Sequence, residues 1–261
     1  ERHFLMSAQS RQLPFHYGWV IVGCGILTLF ACLGLARFAF GMLLPAMREG
    51  LQLAYDQMGY VSTANFAGYL VAVGLAPLAI RRFKPRLTIT FGLLLIACCM
   101  LGISQSRSLL TVLLLYTLTG IGSGFANIPV MVLVSHWFRR ERRGRAAGLM
   151  VIGNGAAIVF AGFFIPFLNQ RFGDDGWRIG WVSIGLIALV IAGIAACFLR
   201  NDPEELGMEP VGNKEELDPE ILTVHEPANS GRIILWLGLL YLVFGATYMV
   251  YGTFIVTTMV V

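Results

Sequence analysis

Apolar residues fill seven long runs, roughly 19–46, 58–80, 87–104, 109–137, 146–168, 179–199 and 233–261, and short charged stretches separate them. All but the third reach the ~20 residues that a helix needs to cross a ~30 Å hydrocarbon layer. The third is shorter and carries no charge. Runs of this length and even spacing predict membrane-spanning helices rather than buried core helices. The expected organisation is an N-terminal tail (1–18), six spans (19–200), a polar linker (201–232) and a seventh span (233–261). The linker segment is rich in acidic residues and proline.

Composition sharpens this picture. At 57% hydrophobic and 13% charged, the chain has too few charges to solvate a water-soluble protein of its length. The basic residues alternate between loops. The tail and the second, fourth and sixth loops hold 14 of the 19, the opposite loops hold Arg48, Arg107, Arg171 and Arg178, and Arg37 lies inside the first run. The positive-inside rule then places the N-terminus in the cytoplasm, with odd spans running outward. Topology accounts for the net charge of +4, so nucleic acid is not an expected partner. The first run is too long for a signal-peptide core. All five cysteines fall within runs, without His at metal-ligand spacing, and read as apolar packing residues. Neither a metal nor a cofactor is expected. Glu1 at the start and an apolar run at the end give the expectation of a piece of a longer chain.

The polar residues inside the runs are the candidates for chemistry. Arg37 comes first, because a full charge in hydrocarbon costs from about 3 to over 10 kcal/mol and should face a cavity or a partner. No Asp or Glu lies in any run. An anionic ligand, held bidentately by the guanidinium, is therefore one reading. Snorkelling is the other, since Arg37 lies only ~8 Å outward of mid-span at 1.5 Å per residue; Asp56 is the nearest acidic rival. Ser62, Asn65 and Tyr69 share a face of span two, and Tyr116, Thr119, Ser123 and Asn127 form a polar stripe on span four. Asn154 sits between two glycines in span five, and Tyr248 and Tyr251 lie in span seven. The candidate substrate-binding set is thus Arg37, Asn65, Tyr69, Tyr116, Asn127, Asn154, Tyr248 and Tyr251. Interhelical hydrogen bonding, at about 0.6 kcal/mol each, is the competing role for every Asn and Tyr among them. Glycines cluster in spans four and five, where small residues let helices approach closely.

Several local patterns stand in one order along the chain: HYGW at 16–19, WFRRERRGRAAG at 137–148, GWR at 176–178 and DPEELG at 202–207. RFAFG at 37–41 is echoed by YMVYG at 248–252. With six spans, a charged linker and a restart, the chain resembles the major facilitator superfamily, and HYGW is similar to its oxalate/formate and monocarboxylate branches. The resemblance implies an all-α membrane fold, a six-helix bundle of two inverted three-helix repeats followed by the first helix of a second bundle. It also implies a monomeric secondary transporter of the plasma (inner) membrane that moves a small organic solute by alternating access. An organic anion is the expected class, and a proton or other ion is a candidate coupling partner. An efflux carrier for a neutral or drug-like solute and a seven-helix receptor are the alternatives. An enzyme is not expected, because no metal-hydrolase motif, paired carboxylates or nucleophile–base set is present.

Two departures stand against the pattern. Residues 74–86 read GLAPLAIRRFKPR, so Ile80 stands where the family's loop carries an Asp. The inner gate is then expected to rest on Arg81, Arg82 and Arg86 with Glu141. Tyr116 stands where proton-driven antiporters of the family carry an Arg, which weighs against that class.

Overall fold

The computed structural model describes residues 16–212, 231–233, 235–245 and 247. Helix α1 runs from Gly18 to Leu51, with a wider π-helical stretch, Phe30–Phe38, at its middle. The next helical stretch, Tyr55–Ser104, is 50 residues long and breaks at Lys84, whose φ of 62° and ψ of 161° are not helical. Its two arms, 55–83 and 85–104, are α2 and α3. Then come α4 (Leu109–Trp137), α5 (Arg140–Phe172) and α6 (Gly176–Phe198), the last two joined by a tight turn at Gly173, φ 55°. Helix α7 (Gly231–Gly245) is apolar and exposed, with Leu240, Tyr241 and Leu242 each more than two-thirds exposed.

The directions of the six bundle helices follow from which residues meet. On α2 and α4, Asn65 lies against Gly120 and Ala72 against Gly124, so these helices run the same way. On α1 and α5, Gly25 meets Met150, Ile26 meets Gly153 and Gly34 meets Ala157, again in the same sense. Pairs that run oppositely are α3 with α4 (Gly92 at Gly122, Gly102 at Leu115) and α1 with α6 (Leu43 at Gly180, Gly50 at Trp177). Helix α3 opposes α6 as well, with Leu101 at Gly185 and Arg86 at Ala196. Six alternating crossings result.

The contact map is also symmetric. Exchanging α1 with α4, α2 with α5 and α3 with α6 turns α2–α4 into α5–α1 and α3–α4 into α6–α1, and leaves α3–α6 as itself. Since α1 and α4 run in opposite senses, the two halves are inverted repeats. Glycines make the closest approaches in both: a Cβ on Gly120 would strike the Asn65 carbonyl, and one on Gly153 the Ile26 carbonyl. Without a hydrophobic drive between helices in lipid, such close approach is what packs them.

Three expectations are revised. The basic segment 81–86 is not a loop: α2 continues through Arg81 and Arg82, the chain breaks only at Lys84, and Pro85 opens α3, the position where a missing N–H costs nothing. Likewise Arg140–Arg145 form the first turns of α5, since arginine is a good helix former. The linker, expected from Asn201, begins with a docked segment. Val211 pairs with Phe138 in a β-bridge, with its N–H on the Trp137 carbonyl (2.8 Å), and Arg139 N–H returns to the Val211 carbonyl (2.9 Å). Ion pairs Arg139–Glu209 (3.0 Å) and His136–Asp202 (2.9 Å) fasten it further.

Candidate functional site

Arg37 closes the π-helical stretch of α1, where small residues (Ala31, Gly34, Ala36) let the wide turn lie flat against its neighbours. Turns of this kind recur at functional positions because they re-aim side chains. The Arg37 guanidinium lies over two aromatic rings of α2, Phe66 at 4.9 Å and Tyr69 at 4.6 Å to the centroids. Its Nε and one terminal nitrogen are buried and donate to nothing. Among the described residues no Asp or Glu side chain pairs with it, and Asp56 is not its partner. A desolvated cation–π contact is worth about 2 kcal/mol. That is less than the cost of holding a guanidinium unpaired in this setting.

Around it, Tyr69 accepts a hydrogen bond at its hydroxyl from Asn127 Nδ2 of α4 (2.8 Å). Both residues are half-buried, as is Arg37. Asn65 and Tyr116 are spent differently. Tyr116 is 1% exposed, packs against Phe40 and Trp181, and donates its hydroxyl to the Ala36 carbonyl (3.1 Å), one residue before Arg37. Asn65 Nδ2 donates to the Tyr116 carbonyl (3.1 Å), and its buried Oδ1 has no partner. These two therefore hold α1, α2 and α4 together behind Arg37. Thr119 and Ser123, the rest of the α4 stripe, bond back to carbonyls of their own helix, Leu115 and Thr119. Asn154 of α5 lies beside Gly34, with its Oδ1 buried and unpartnered. Tyr248 and Tyr251 lie outside the described residues.

Sequence reasoning missed Phe66. It searched for polar groups, while the signal was an aromatic pair at i and i+3, Phe66 and Tyr69, on the face that meets Arg37. At the end of the bundle near Lys84, Arg86 does not join Glu141. Its Nε donates to the Ala196 carbonyl (3.1 Å) and its backbone N–H to Asn201 Oδ1 (2.9 Å), capping the end of α6. Arg81, Arg82 and Glu141 are exposed. No cluster of three His, Cys, Asp or Glu side chains suited to a metal occurs among the described residues.

A model of the Major Facilitator Superfamily matches residues 26–261. The chain is 22% identical over 202 residues to the phosphoglycerate transporter protein of Salmonella typhimurium, covering 76% of this chain and 42% of that one. It is 28% identical over 174 residues to monocarboxylate transporter 11 of Mus musculus, covering 66% and 38%. The chain thus spans less than half the length of these relatives. A solved structure of the proton:xylose symporter XylE with a bound sugar analogue shares the fold, at a TM-score of 0.59 and 16% identity, covering 73% of this chain and 46% of that one.

Proposed function

Because the chain belongs to the major facilitator superfamily, and so to a multi-pass membrane protein, we propose that it forms the N-terminal bundle and seventh helix of a secondary transporter for a small organic anion. The observation that carries the anion is the Arg37 guanidinium, caged by Phe66 and Tyr69, with two buried nitrogens that donate to nothing. A carboxylate or phosphate would accept both hydrogen bonds and cancel the charge. The names of the two relatives, a phosphoglycerate transporter and a monocarboxylate transporter, support that class, since both substrates carry carboxylates.

In this reading Arg37, Tyr69, Asn127 and Asn154 contact substrate from the first half, while Tyr248 and Tyr251 contribute from the second. Asn65 and Tyr116 support them from behind. The protein works as a monomer in the plasma (inner) membrane, N-terminus in the cytoplasm, by alternating access around this site. The ends of α2 and α5, with Arg81, Arg82 and Glu141, form the moving inner gate, while Arg86 stays on α6. An ion gradient supplies the energy, and a proton is the first coupling ion to test. Uptake of labelled small carboxylates into vesicles from cells making the full-length protein tests the reading, with and without an imposed proton gradient. Saturable uptake that rises with the gradient supports a proton-coupled anion carrier. Uptake indifferent to the gradient removes the proton but keeps the anion. No carboxylate uptake overturns the anion reading in favour of efflux or a neutral solute.

A further inference from the structure

Helices α2 and α3 both rest on α4, yet their inner ends leave a groove of about 460 Å³ between them. Ala79 and Phe83 of α2 form one wall, Leu87 and Phe91 of α3 the other, and Phe125 of α4 lies across it. Phe83, Leu87 and Phe91 are each more than half exposed. The two hydroxyls in the lining are occupied: Thr88 donates to the Lys84 carbonyl and Thr90 to the Arg86 carbonyl, 2.9 Å each. The groove therefore offers hydrocarbon and no free hydroxyl hydrogen. It follows α3 from Leu87 to Leu94, a rise of ~10 Å at 1.5 Å per residue. That lies within the ~15 Å depth of one leaflet of a ~30 Å hydrocarbon core.

Basic residues flank Phe83 in sequence at the chain break beside the groove, while the nearby acidic residues Asp202 and Glu205 are engaged by His136 and Asn201. Arg81, Arg82 and Lys84 are exposed, and among the described residues no acidic side chain pairs with them. Arg86, by contrast, is engaged with α6. We propose that this groove is a binding site for one anionic phospholipid, its acyl chain along Phe83, Leu87 and Phe91 and its phosphate on Arg82 and Lys84. The positive rim selects the headgroup, and the apolar walls exclude a soluble anion. Placement at the inner face rests on the topology proposed above, but binding does not, so symmetric vesicles separate the two.

The test uses the full-length protein carrying Phe91→Trp, reconstituted in vesicles that contain brominated-chain phosphatidylglycerol or brominated-chain phosphatidylcholine at equal mole fraction. The added fluorescence is expected to be quenched more strongly by phosphatidylglycerol, by about fivefold in apparent affinity for each cation engaged. The preference shrinks as salt rises and disappears in Arg82→Gln/Lys84→Gln. A tryptophan at Leu186, exposed on α6, should show no headgroup preference. Equal quenching by both lipids, or a preference that survives the double substitution, overturns the proposal. Headgroup analysis of lipid co-purifying with the unsubstituted protein is an independent readout: enrichment of anionic lipid, lost in the double variant, supports the site, and the bulk ratio in both overturns it.

Discussion

The two interfaces that the inverted repeats exchange, α2 with α4 and α5 with α1, solve one packing problem and reach different polar outcomes. Where α2 meets α4, the Asn65 backbone carbonyl lies against Gly120, and its side chain bonds the Tyr116 carbonyl one turn earlier. Where α5 meets α1, the Asn154 backbone carbonyl lies against Gly34, as the Tyr69 carbonyl lies against Gly124 in the matching position, but the Asn154 side-chain oxygen is buried without a partner. Nearby on α1, two Arg37 nitrogens are equally unspent. The glycine contacts are shared by both repeats, so they belong to the fold. Asn65 also keeps one unspent oxygen, but two unspent buried donors, the Arg37 nitrogens, lie on α1 beside Asn154 of α5, and that leftover capacity supports the binding role proposed for these residues.

Arg37→Gln should separate the two interfaces most sharply. Removing one partner of a buried, hydrogen-bonded charge pair costs roughly 2–5 kcal/mol, so uptake at low substrate should fall by about two orders of magnitude while membrane insertion is kept. Near-normal uptake by Arg37→Gln vesicles would return the residue to a structural role. Next in size are Gly120→Leu and Gly153→Leu, which drive a side chain into the carbonyl of the opposing helix. Each should lower the thermal unfolding midpoint in detergent, by an overpacking cost of about 1–3 kcal/mol. A loss at one glycine only would show that the repeats do not share their close contacts.

The asparagines then test the difference itself. Asn65→Leu should lose an interhelical bond worth about 0.6 kcal/mol, read as a lower unfolding midpoint. Asn154→Leu should leave the midpoint unchanged or raised, because it removes a buried oxygen that nothing satisfies, and should weaken substrate affinity. Equal destabilisation by both would erase the contrast. Smallest is Tyr69→Phe, which keeps the ring under Arg37 and removes the hydroxyl that Asn127 bonds. Its KM should rise by about threefold, the equivalent of one such bond; an unchanged KM would place Tyr69 and Asn127 outside the substrate path.

Much of the fold could be read in advance, because every run but the third is long enough to declare itself without its neighbours. The helix ends could not. Charge at 81–86 and 139–145 reads as loop, although arginine favours helix and only Lys84 and the N-cap Arg139 depart from it. Of the site, Arg37 was legible as a lone charge among apolar residues. What surrounds it was not: Tyr116 faces inward because Phe40 and Trp181 pack on it, and Phe66 matters through its ring face. The π-helical stretch depends on how α1 fits α5 at Gly34 and Ala157, and no local signal encodes that.

The exchange symmetry of the contacts carries a consequence for biogenesis. A bundle whose helix pairs map onto one another when turned upside down buries much the same surface whichever end enters the bilayer first. Packing therefore holds little memory of which way up the molecule was inserted. In the proposed topology that memory resides in the helix ends, where most of the basic residues fall on the cytoplasmic side. Shifting a few of them across should yield inverted copies with an almost unaltered interior, so the same core could in principle serve either polarity.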